Sequence, residues 1–206
     1  MDFSEYLIST GCVKFGRFEL KSGRLSPYFI NFGILGDGEK LDAVGVYFAD
    51  YIKGKCKCDL IFGPAYKGIP IAIATSIAYS GKYSPIEWAF DRKEAKSHGD
   101  VGIIVGSQIP GKRVIIVDDV FTTGGTKVNA VELLRVQGAK SIEILVGVDR
   151  EEKGEKENAV EEFENNTGVK VHSLAKISEL YSKMKKNGMI PKETEKLYEE
   201  YRKLYG

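Results

Sequence analysis

One stretch of the sequence decides the fold class: Val114-Ile115-Ile116-Val117-Asp118-Asp119-Val120-Phe121-Thr122-Thr123-Gly124-Gly125-Thr126. It begins with β-branched apolar residues and shows no polar alternation, which predicts a strand buried on both faces of a parallel sheet. Two carboxylates follow, then threonines and glycines, then a segment at 128–137 that predicts a helix ending before Gly138. This order indicates an α/β fold with a ligand site at the carboxyl edge of its sheet.

The residues after this strand have the chemistry of an anion site. Glycines at 124 and 125 let backbone N–H groups approach an anion closely, and the following helix N-terminus adds partial positive charge. No Gly-Lys-Ser/Thr pair follows, so the loop is not an NTPase P-loop. The carboxylates of Asp118 and Asp119 suit ribose hydroxyls or the shell of a Mg2+ ion. Each of these residues taken alone could simply cap a strand or helix end. All of them in this order favour a site for a phosphate and a sugar instead.

Apolar runs on both sides of this stretch continue the alternation of strands and helices. We expect strands at 59–63, 85–90, 141–148 and 169–174, and a helix of small residues at 69–80. Glu- and Lys-rich residues 151–166 predict a solvated helix.

The two ends of the chain do not follow this alternation of strands and helices. Residues 1–35 hold a short predicted helix at 3–9 and an irregular Gly/Ser/Pro stretch at 21–29. Residues 191–205 predict a charged amphipathic helix on the outside. We therefore expect an N-terminal hood segment, residues 1–35, on an α/β core, residues 36–206, in one structural unit.

Composition argues against several classes of protein. With 30 Lys+Arg against 29 Asp+Glu, the net charge is +1. The chain as a whole therefore lacks the excess of positive charge that would indicate binding to nucleic acid. No apolar run approaches the ~20 residues that span a bilayer, and residues 1–5 do not begin a secretory signal. Cys56 and Cys58 resemble a metal half-site, but without further ligands nearby in sequence they favour reduced thiols. We expect a cytoplasmic protein with no nucleic-acid or membrane partner.

The stretch at 114–126 resembles the motif by which type I phosphoribosyltransferases bind phosphoribosyl pyrophosphate (PRPP). The resemblance implies that Asp118 and Asp119 hold the ribose hydroxyls and that the following loop surrounds the 5′-phosphate. The loop residues implied in PRPP binding are Val120, Phe121, Thr122, Thr123, Gly124, Gly125 and Thr126. The family fold is a mostly parallel sheet flanked by helices under a small hood. Its Mg2+ is held mainly by PRPP, with Asp118 and Asp119 as candidate ligands.

Two further segments resemble the orotate phosphoribosyltransferases in particular. Residues 20–31 resemble their hood, in which Lys21 would reach PRPP and the backbone of Phe29 and Ile30 would meet orotate. A second aromatic residue is usual where this chain has Ile30. Residues 63–68 resemble their pyrophosphate loop, which would place Tyr66 and Lys67 beside the diphosphate.

A third segment, 91–99, resembles the mobile catalytic loop of these enzymes. The resemblance implies pyrophosphate contacts from Arg92, Lys93, Lys96 and His98. Such a cluster of cationic side chains is usually a solvated surface, but this one directly follows a strand of the ligand-binding edge, with Gly99 and Gly102 as hinges. A lid that closes over a polyanion is therefore the better interpretation. The other histidine, His172, lies in the last expected strand and is interpreted as structural.

Arg150 follows the strand expected at 141–148. It is the residue that distinguishes an enzyme for orotate from an enzyme for purine bases. The resemblance implies that Arg150 binds the orotate carboxylate and that Thr122 also contacts orotate. A planar guanidinium matches a carboxylate through two donors, and purine bases lack that group.

The implied reaction joins orotate to PRPP, giving orotidine 5′-monophosphate and pyrophosphate in pyrimidine biosynthesis. Lys96, His98, Asp118 and Asp119 are the implied catalytic residues, acting by orientation and electrostatic stabilisation with Mg2+. The resemblance also implies a homodimer with shared active sites. The alternatives are a purine phosphoribosyltransferase on the same fold and a non-catalytic, PRPP-sensing regulator.

Overall fold

A computed structural model describes the backbone of residues 1–20, 23–96 and 102–206, and the side chains of these residues except 94–96. The elements in chain order are α1 (Phe3–Ser9), β1 (Val13–Glu19), β2 (Leu25–Ile30), a 3-10 turn (Phe32–Ile34), α2 (Gly38–Lys55), β3 (Leu60–Gly63), α3 (Gly68–Lys82), β4 (Glu87–Lys96), β5 (Gly102–Gly106), β6 (Arg113–Phe121), α4 (Gly125–Val136), β7 (Ser141–Asp149), α5 (Ala159–Thr167), β8 (Lys170–Lys176), α6 (Ile177–Lys186) and α7 (Lys192–Tyr205).

The main sheet has the strand order β5-β4-β3-β6-β7-β8. Neighbours from β4 to β8 pair in parallel, and only the edge strand β5 is antiparallel. The expectation of a mostly parallel α/β sheet is confirmed. Strand β6 lies inside the sheet with Ile115, Ile116 and Val117 fully buried, as its unbroken apolar sequence predicted.

Alternate residues of the central strands pack into two cores, one on each face of the sheet. Ile115 and Leu145 belong to the core shared with α2, α3 and the hood, whereas Ile116 and Ile144 belong to the core shared with α4 and α5. Both faces are therefore covered, which explains why β6 shows no polar alternation. None of the helices among the described residues is both long and apolar enough to cross a bilayer.

The hood is more regular than its composition suggested. Strands β1 and β2 form an antiparallel hairpin, so the expectation of an irregular stretch at 21–29 is wrong from Leu25 onward. Gly23 belongs to the hairpin connection, has a φ of 77° and donates its N–H to Leu20 O at 2.8 Å. Glycine adopts this left-handed conformation at little cost.

Other elements differ from expectation mainly at their ends. Helix α4 begins at Gly125, before the expected 128, and β4 continues past 90 as far as Lys96. Helices α2 and α6 were not predicted. The solvated helix expected at 151–166 is wrong in its first half, because α5 begins only at Ala159 and Glu152 is just 4% exposed.

Candidate active site

Three strand ends meet at the carboxyl edge of the main sheet. In the parallel register of β6 and β7, Phe121 lies beside Asp149, and β3 lies on the other side of β6. The Arg150 N–H donates to the carbonyl of Phe121 at 3.3 Å, which joins the segment after β7 to the loop after β6. The segments 63–68, 118–126 and 149–152, each of which includes the end of a strand, are thus neighbours, as expected for ligand-binding segments at such an edge.

Asp119 and Lys67, both predicted PRPP-site residues, are in direct contact. Lys67 Nζ lies 2.8 Å from Asp119 Oδ2, and the Asp119 side chain is 5% exposed while that of Lys67 is 61% exposed. The second carboxylate oxygen of Asp119 accepts the Val120 N–H at 2.8 Å. Lys67 therefore reaches from solvent to a carboxylate that the backbone of Val120 holds in place.

Asp118 has different surroundings, dominated by a residue that the sequence interpretation missed. Lys127, in the first turn of α4, hydrogen-bonds to Asp118 Oδ2 and also to the carbonyl of Val120 at 2.9 Å. The side chains of this pair are only 12% and 7% exposed. Burial raises the pKa of Asp118, although the Lys127 ammonium opposes that shift. Lys127 thus fixes the strand end to the helix start.

The loop between β6 and α4 leaves donors available at the helix N-terminus. Gly124 precedes α4 with a φ of 79°, and no side chain caps the helix there. A Cβ on Gly124 would lie 2.7 Å from the Phe163 ring, so this position requires glycine. Thr123, Gly125 and Thr126 are exposed. Such a helix start suits a phosphate group.

Not every residue of the predicted PRPP motif can offer its side chain. Phe121 is fully buried and packs edge-on against Phe163, with ring centroids 5.4 Å apart. Only the backbone of Phe121 can therefore face a ligand. Thr122 is half-buried and next to it.

The predicted pyrophosphate loop is tied to the start of the predicted lid. The Ala65 N–H donates to Asp91 Oδ1 at 2.6 Å, and Lys93 Nζ lies 4.5 Å from the centre of the exposed Tyr66 ring. The Ala65–Tyr66 peptide bond is cis. Arg92 Nη1 donates to the carbonyl of Gly102 across the β4–β5 hairpin at 3.3 Å. The structure thus brings Tyr66, Lys67 and Lys93 to one side of the site.

Three predicted site groups fall outside what the structure describes. Lys96 ends β4, but its side chain is not among those described, and both His98 and Lys21 lie outside the described residues. The predicted pyrophosphate contacts of Lys96 and His98 remain predictions.

Arg150 lies at the expected place but is not a free cation. Its Nη2 lies 2.7 Å from Glu152 Oε1, and its guanidinium carbon is 5.0 Å from the centre of the Tyr28 ring. The Arg150 side chain is 14% exposed. A guanidinium has five N–H donors, so Arg150 can keep Glu152 and still bind a ligand carboxylate.

Glu152 is the second functional residue that the sequence interpretation missed. Its carboxylate accepts hydrogen bonds from Tyr28 at 3.0 Å, from Tyr201 at 2.8 Å and from Arg24 at 2.8 Å, in addition to its ion pair with Arg150. These partners come from the hood, the C-terminal helix α7 and the end of the main sheet. Glu152 therefore links three parts of the chain beside the predicted orotate site, a role that a Glu/Lys-rich segment does not reveal.

The hood presents Phe29 and Ile30 differently. Phe29 is 43% exposed and packs against Phe18, with ring centroids 5.6 Å apart. Ile30 is half-buried at the end of β2. The exposed Phe29 is therefore the more accessible of the two residues predicted to meet orotate.

Comparisons with known proteins identify the family of the chain. A family profile described as "Phosphoribosyl transferase domain" matches residues 35–175. An orotate phosphoribosyltransferase of Acinetobacter baumannii is 42% identical over 206 residues, covering 99% of this chain and 94% of the relative. The crystal structure of orotate phosphoribosyltransferase from Francisella tularensis matches with a TM-score of 0.84 and 33% identity, covering 99% of this chain and 98% of that one.

A more distant structure shares the fold of this chain but has much lower sequence identity to it. Adenine phosphoribosyltransferase of Leishmania donovani matches with a TM-score of 0.59 and 16% identity, covering 94% of this chain and 84% of that one, which indicates a shared fold alone. The orotate enzymes match at more than twice that identity over nearly their whole length. The chain therefore belongs to the orotate phosphoribosyltransferase family, within the type I phosphoribosyltransferase fold.

Proposed function

We propose that this protein transfers the ribose 5-phosphate of PRPP to orotate, giving orotidine 5′-monophosphate and pyrophosphate. The observation that carries the proposal is the placement of Arg150 directly beside the loop that opens α4, through the Arg150 N–H and the Phe121 carbonyl. This contact brings a helix start that suits a phosphate and a residue whose guanidinium suits a carboxylate to the same edge of the sheet.

The chemistry consists of one bond broken and one formed at ribose C1′. The bond from C1′ to a pyrophosphate oxygen breaks while N1 of deprotonated orotate forms the new bond to C1′. Positive charge develops on the ribose ring and negative charge on the leaving pyrophosphate. Asp119 would hold the ribose side, while Lys67, Lys93 and the predicted lid residues Lys96 and His98 would neutralise the leaving group.

The site fits Mg2+ as an ion held mainly by the substrate. Mg2+ prefers oxygen ligands, which Asp118 and Asp119 offer. Both carboxylates already bind ammonium groups, from Lys127 and Lys67, so we expect PRPP oxygens to supply most of the ligands. When bound, the ion would neutralise charge on the diphosphate.

We further propose a homodimer in which the lid of one subunit serves the active site of the other. An apolar surface next to Lys67 supports an interface there. It carries a cavity of about 330 Å³ lined by Phe32, Leu41, Lys67 and Pro70, among others. Ile77 is 64% exposed and lines an adjoining cavity of about 370 Å³. We place the reaction in the cytoplasm, where the free cysteines of the chain stay reduced.

The test is a substrate panel with PRPP and Mg2+, following pyrophosphate release. We expect turnover with orotate and little or none with uracil, adenine or hypoxanthine. Excess chelator should abolish the activity and added Mg2+ should restore it. Equal activity with a purine base would favour the purine enzyme, and PRPP binding without turnover of any base would favour the regulator.

A further inference from the structure

A second cluster of reactive side chains lies away from the site described above. The thiol of Cys56, a carboxylate oxygen of Glu143 and a ring nitrogen of His172 all lie within 4.8 Å of one another. Cys56 follows α2, while Glu143 and His172 come from the neighbouring strands β7 and β8. Sequence spacing alone disfavoured a metal site at Cys56 because no further ligands lay nearby in the chain. The fold supplies them from distant positions.

The cluster is well separated from the candidate active site. Glu143 lies near the beginning of β7, whereas Asp149 ends that strand at the active-site edge. At about 3.3 Å per residue, these positions are roughly 20 Å apart. The cluster therefore stands apart from substrate binding, and any metal bound there would stabilise the fold.

The imidazole of His172 is oriented as a metal ligand would be. Nε2 lies 2.8 Å from Glu143 Oε2, while Nδ1 lies 3.2 Å from the hydroxyl of Tyr51 on α2. Metal-binding histidines commonly use one ring nitrogen for the metal and donate the other N–H to an outer partner. Tyr51 occupies that outer position, which leaves Nε2 on the side of the ring that faces the Glu143 carboxylate.

The ligand types indicate which metal would bind. Zinc binds thiolate, imidazole and carboxylate at about 2.0–2.3 Å in a tetrahedron, and where the protein supplies only three ligands a water takes the fourth position. Magnesium and calcium prefer oxygen ligands alone. The His172 side chain is 13% exposed and that of Glu143 is 34% exposed, so an ion and its water can reach the cluster from solvent.

We propose that Cys56, Glu143 and His172 form a binding site for one Zn2+ ion with a water molecule as fourth ligand. The ion replaces the proton of the Cys56 thiol, which passes to solvent, because a coordinating thiol is deprotonated. It ties the end of α2 to β7 and β8, so it binds the folded chain and raises its stability.

The experiment uses the full chain, reduced and freed of metal by a chelator that is then removed. Co2+ serves as the spectroscopic probe, since a cobalt–thiolate bond gives a charge-transfer absorption that oxygen and nitrogen ligands do not. Zn2+ is then added to displace the cobalt, and the melting temperature is measured with and without Zn2+. The variants are Cys56→Ser and His172→Gln, with Cys58→Ser as the matched control for a neighbouring thiol.

We expect a one-to-one cobalt band and a Zn2+-dependent rise in melting temperature in the wild-type chain and in Cys58→Ser. Cys56→Ser should lose the band, and His172→Gln should bind at least tenfold more weakly. All variants should keep orotate turnover, which shows that they fold. A wild-type chain without the band, a band retained in Cys56→Ser or a band lost in Cys58→Ser would each overturn the proposal, and the cluster would then be a hydrogen-bonded link between α2 and the sheet.

Discussion

At the scale of single residues, Asp118 and Asp119 are adjacent and chemically identical, yet their surroundings assign them different roles. Asp119 contacts the exposed Lys67. Asp118 is in a buried ion pair with Lys127. The sequence motif predicts equal roles for both in holding ribose. The contacts instead predict that Asp119 serves mainly the reaction and that Asp118 serves mainly the fold.

Asp119→Asn should keep the fold and lose activity. The amide has nearly the same shape, but it removes the charge that holds Lys67 and faces the ribose. We expect kcat/KM to fall about 10- to 1,000-fold, with about 1.4 kcal/mol of transition-state stabilisation lost for each factor of ten. Steady-state kinetics and an unchanged urea midpoint would confirm this. Near wild-type kcat/KM would mean that the carboxylate has no part in the reaction.

Asp118→Asn should instead lower the free energy of unfolding, by about 3 kcal/mol, because it leaves the buried Lys127 ammonium without a counter-charge. Urea unfolding measures the change. The control is the double variant Asp118→Asn/Lys127→Met, which removes both charges and should recover part of the lost stability. If the single variant is as stable as the wild type, the ion pair contributes nothing to folding.

The residue types of the site could be predicted from the sequence, but their partners could not. Lys127 lies just before the helix expected at 128–137, and nothing in the local sequence shows that its side chain turns back to Asp118. Glu152 likewise belongs to a Glu/Lys-rich run whose pattern favours a solvated face. Its burial depends on hydroxyls of Tyr28 and Tyr201, which lie more than a hundred and about fifty positions away. Such contacts follow from the tertiary fold.

At the scale of elements, α7 takes part in the predicted orotate site. The helix was expected to pack on the outside, and its exposed charged face agrees with that. Its inner face nevertheless places the Tyr201 hydroxyl 2.8 Å from Glu152. Glu152 in turn holds Arg150. The C-terminal helix is therefore connected to the predicted base-binding residue through the Glu152 carboxylate and through Arg150 Nη2, which lies 3.5 Å from the Tyr201 hydroxyl.

Tyr201→Phe should weaken orotate binding selectively. The variant keeps the buried ring but removes a hydrogen bond to Glu152, which leaves Arg150 less firmly positioned. We expect a several-fold higher KM for orotate, with the KM for PRPP and the melting temperature nearly unchanged. Tyr205→Phe is the matched control, since Tyr205 contributes its ring to Arg24 and Tyr201. Equal changes in both Michaelis constants would indicate a general structural defect.

Elements with a strong local apolar pattern could be predicted from the sequence, whereas elements with a weak pattern could not. Helix α1 has a clear apolar pattern and the expected bounds. Strand β6 contains the expected apolar run but continues four residues beyond Val117, to Phe121. The hood hairpin was missed because its Gly- and Ser-rich connection was interpreted as an irregular segment. Its strands are held by side chains from elsewhere, including Phe15 against Tyr181 and Tyr198. Tertiary packing overrides weak local preference in such strands.

At the scale of the whole molecule, the parallel sheet explains why dispersed motifs form one site. Each motif follows a different strand, and the carboxyl ends of β3, β6 and β7 lie side by side. The part of the predicted lid that the structure describes, residues 91–96, is the end of strand β4 and not a loop, and Tyr66 contacts Lys93 there. A lid anchored at the edge of one subunit can close over its own site or over that of a partner.

Mixed dimers can decide between these arrangements. Lys96→Ala damages the lid and Asp119→Asn damages the PRPP cradle, so each homodimer should be nearly inactive. If lids act across the interface, a mixed dimer has one site with both defects and one site with an intact cradle and an intact lid. We therefore expect each mixed dimer to recover up to about half of the wild-type activity, because one site in two is complete.

The measurement requires proof that subunits exchange. The two variants carry different affinity tags, and sequential capture isolates the mixed dimers before their orotate turnover is assayed. Each variant mixed with itself under both tags gives the background. If lids act within their own subunit, every site in a mixed dimer keeps one defect. Isolated mixed dimers at background activity would then reject the shared site, while the loss in the Lys96→Ala homodimer would still support a role for Lys96 in the reaction.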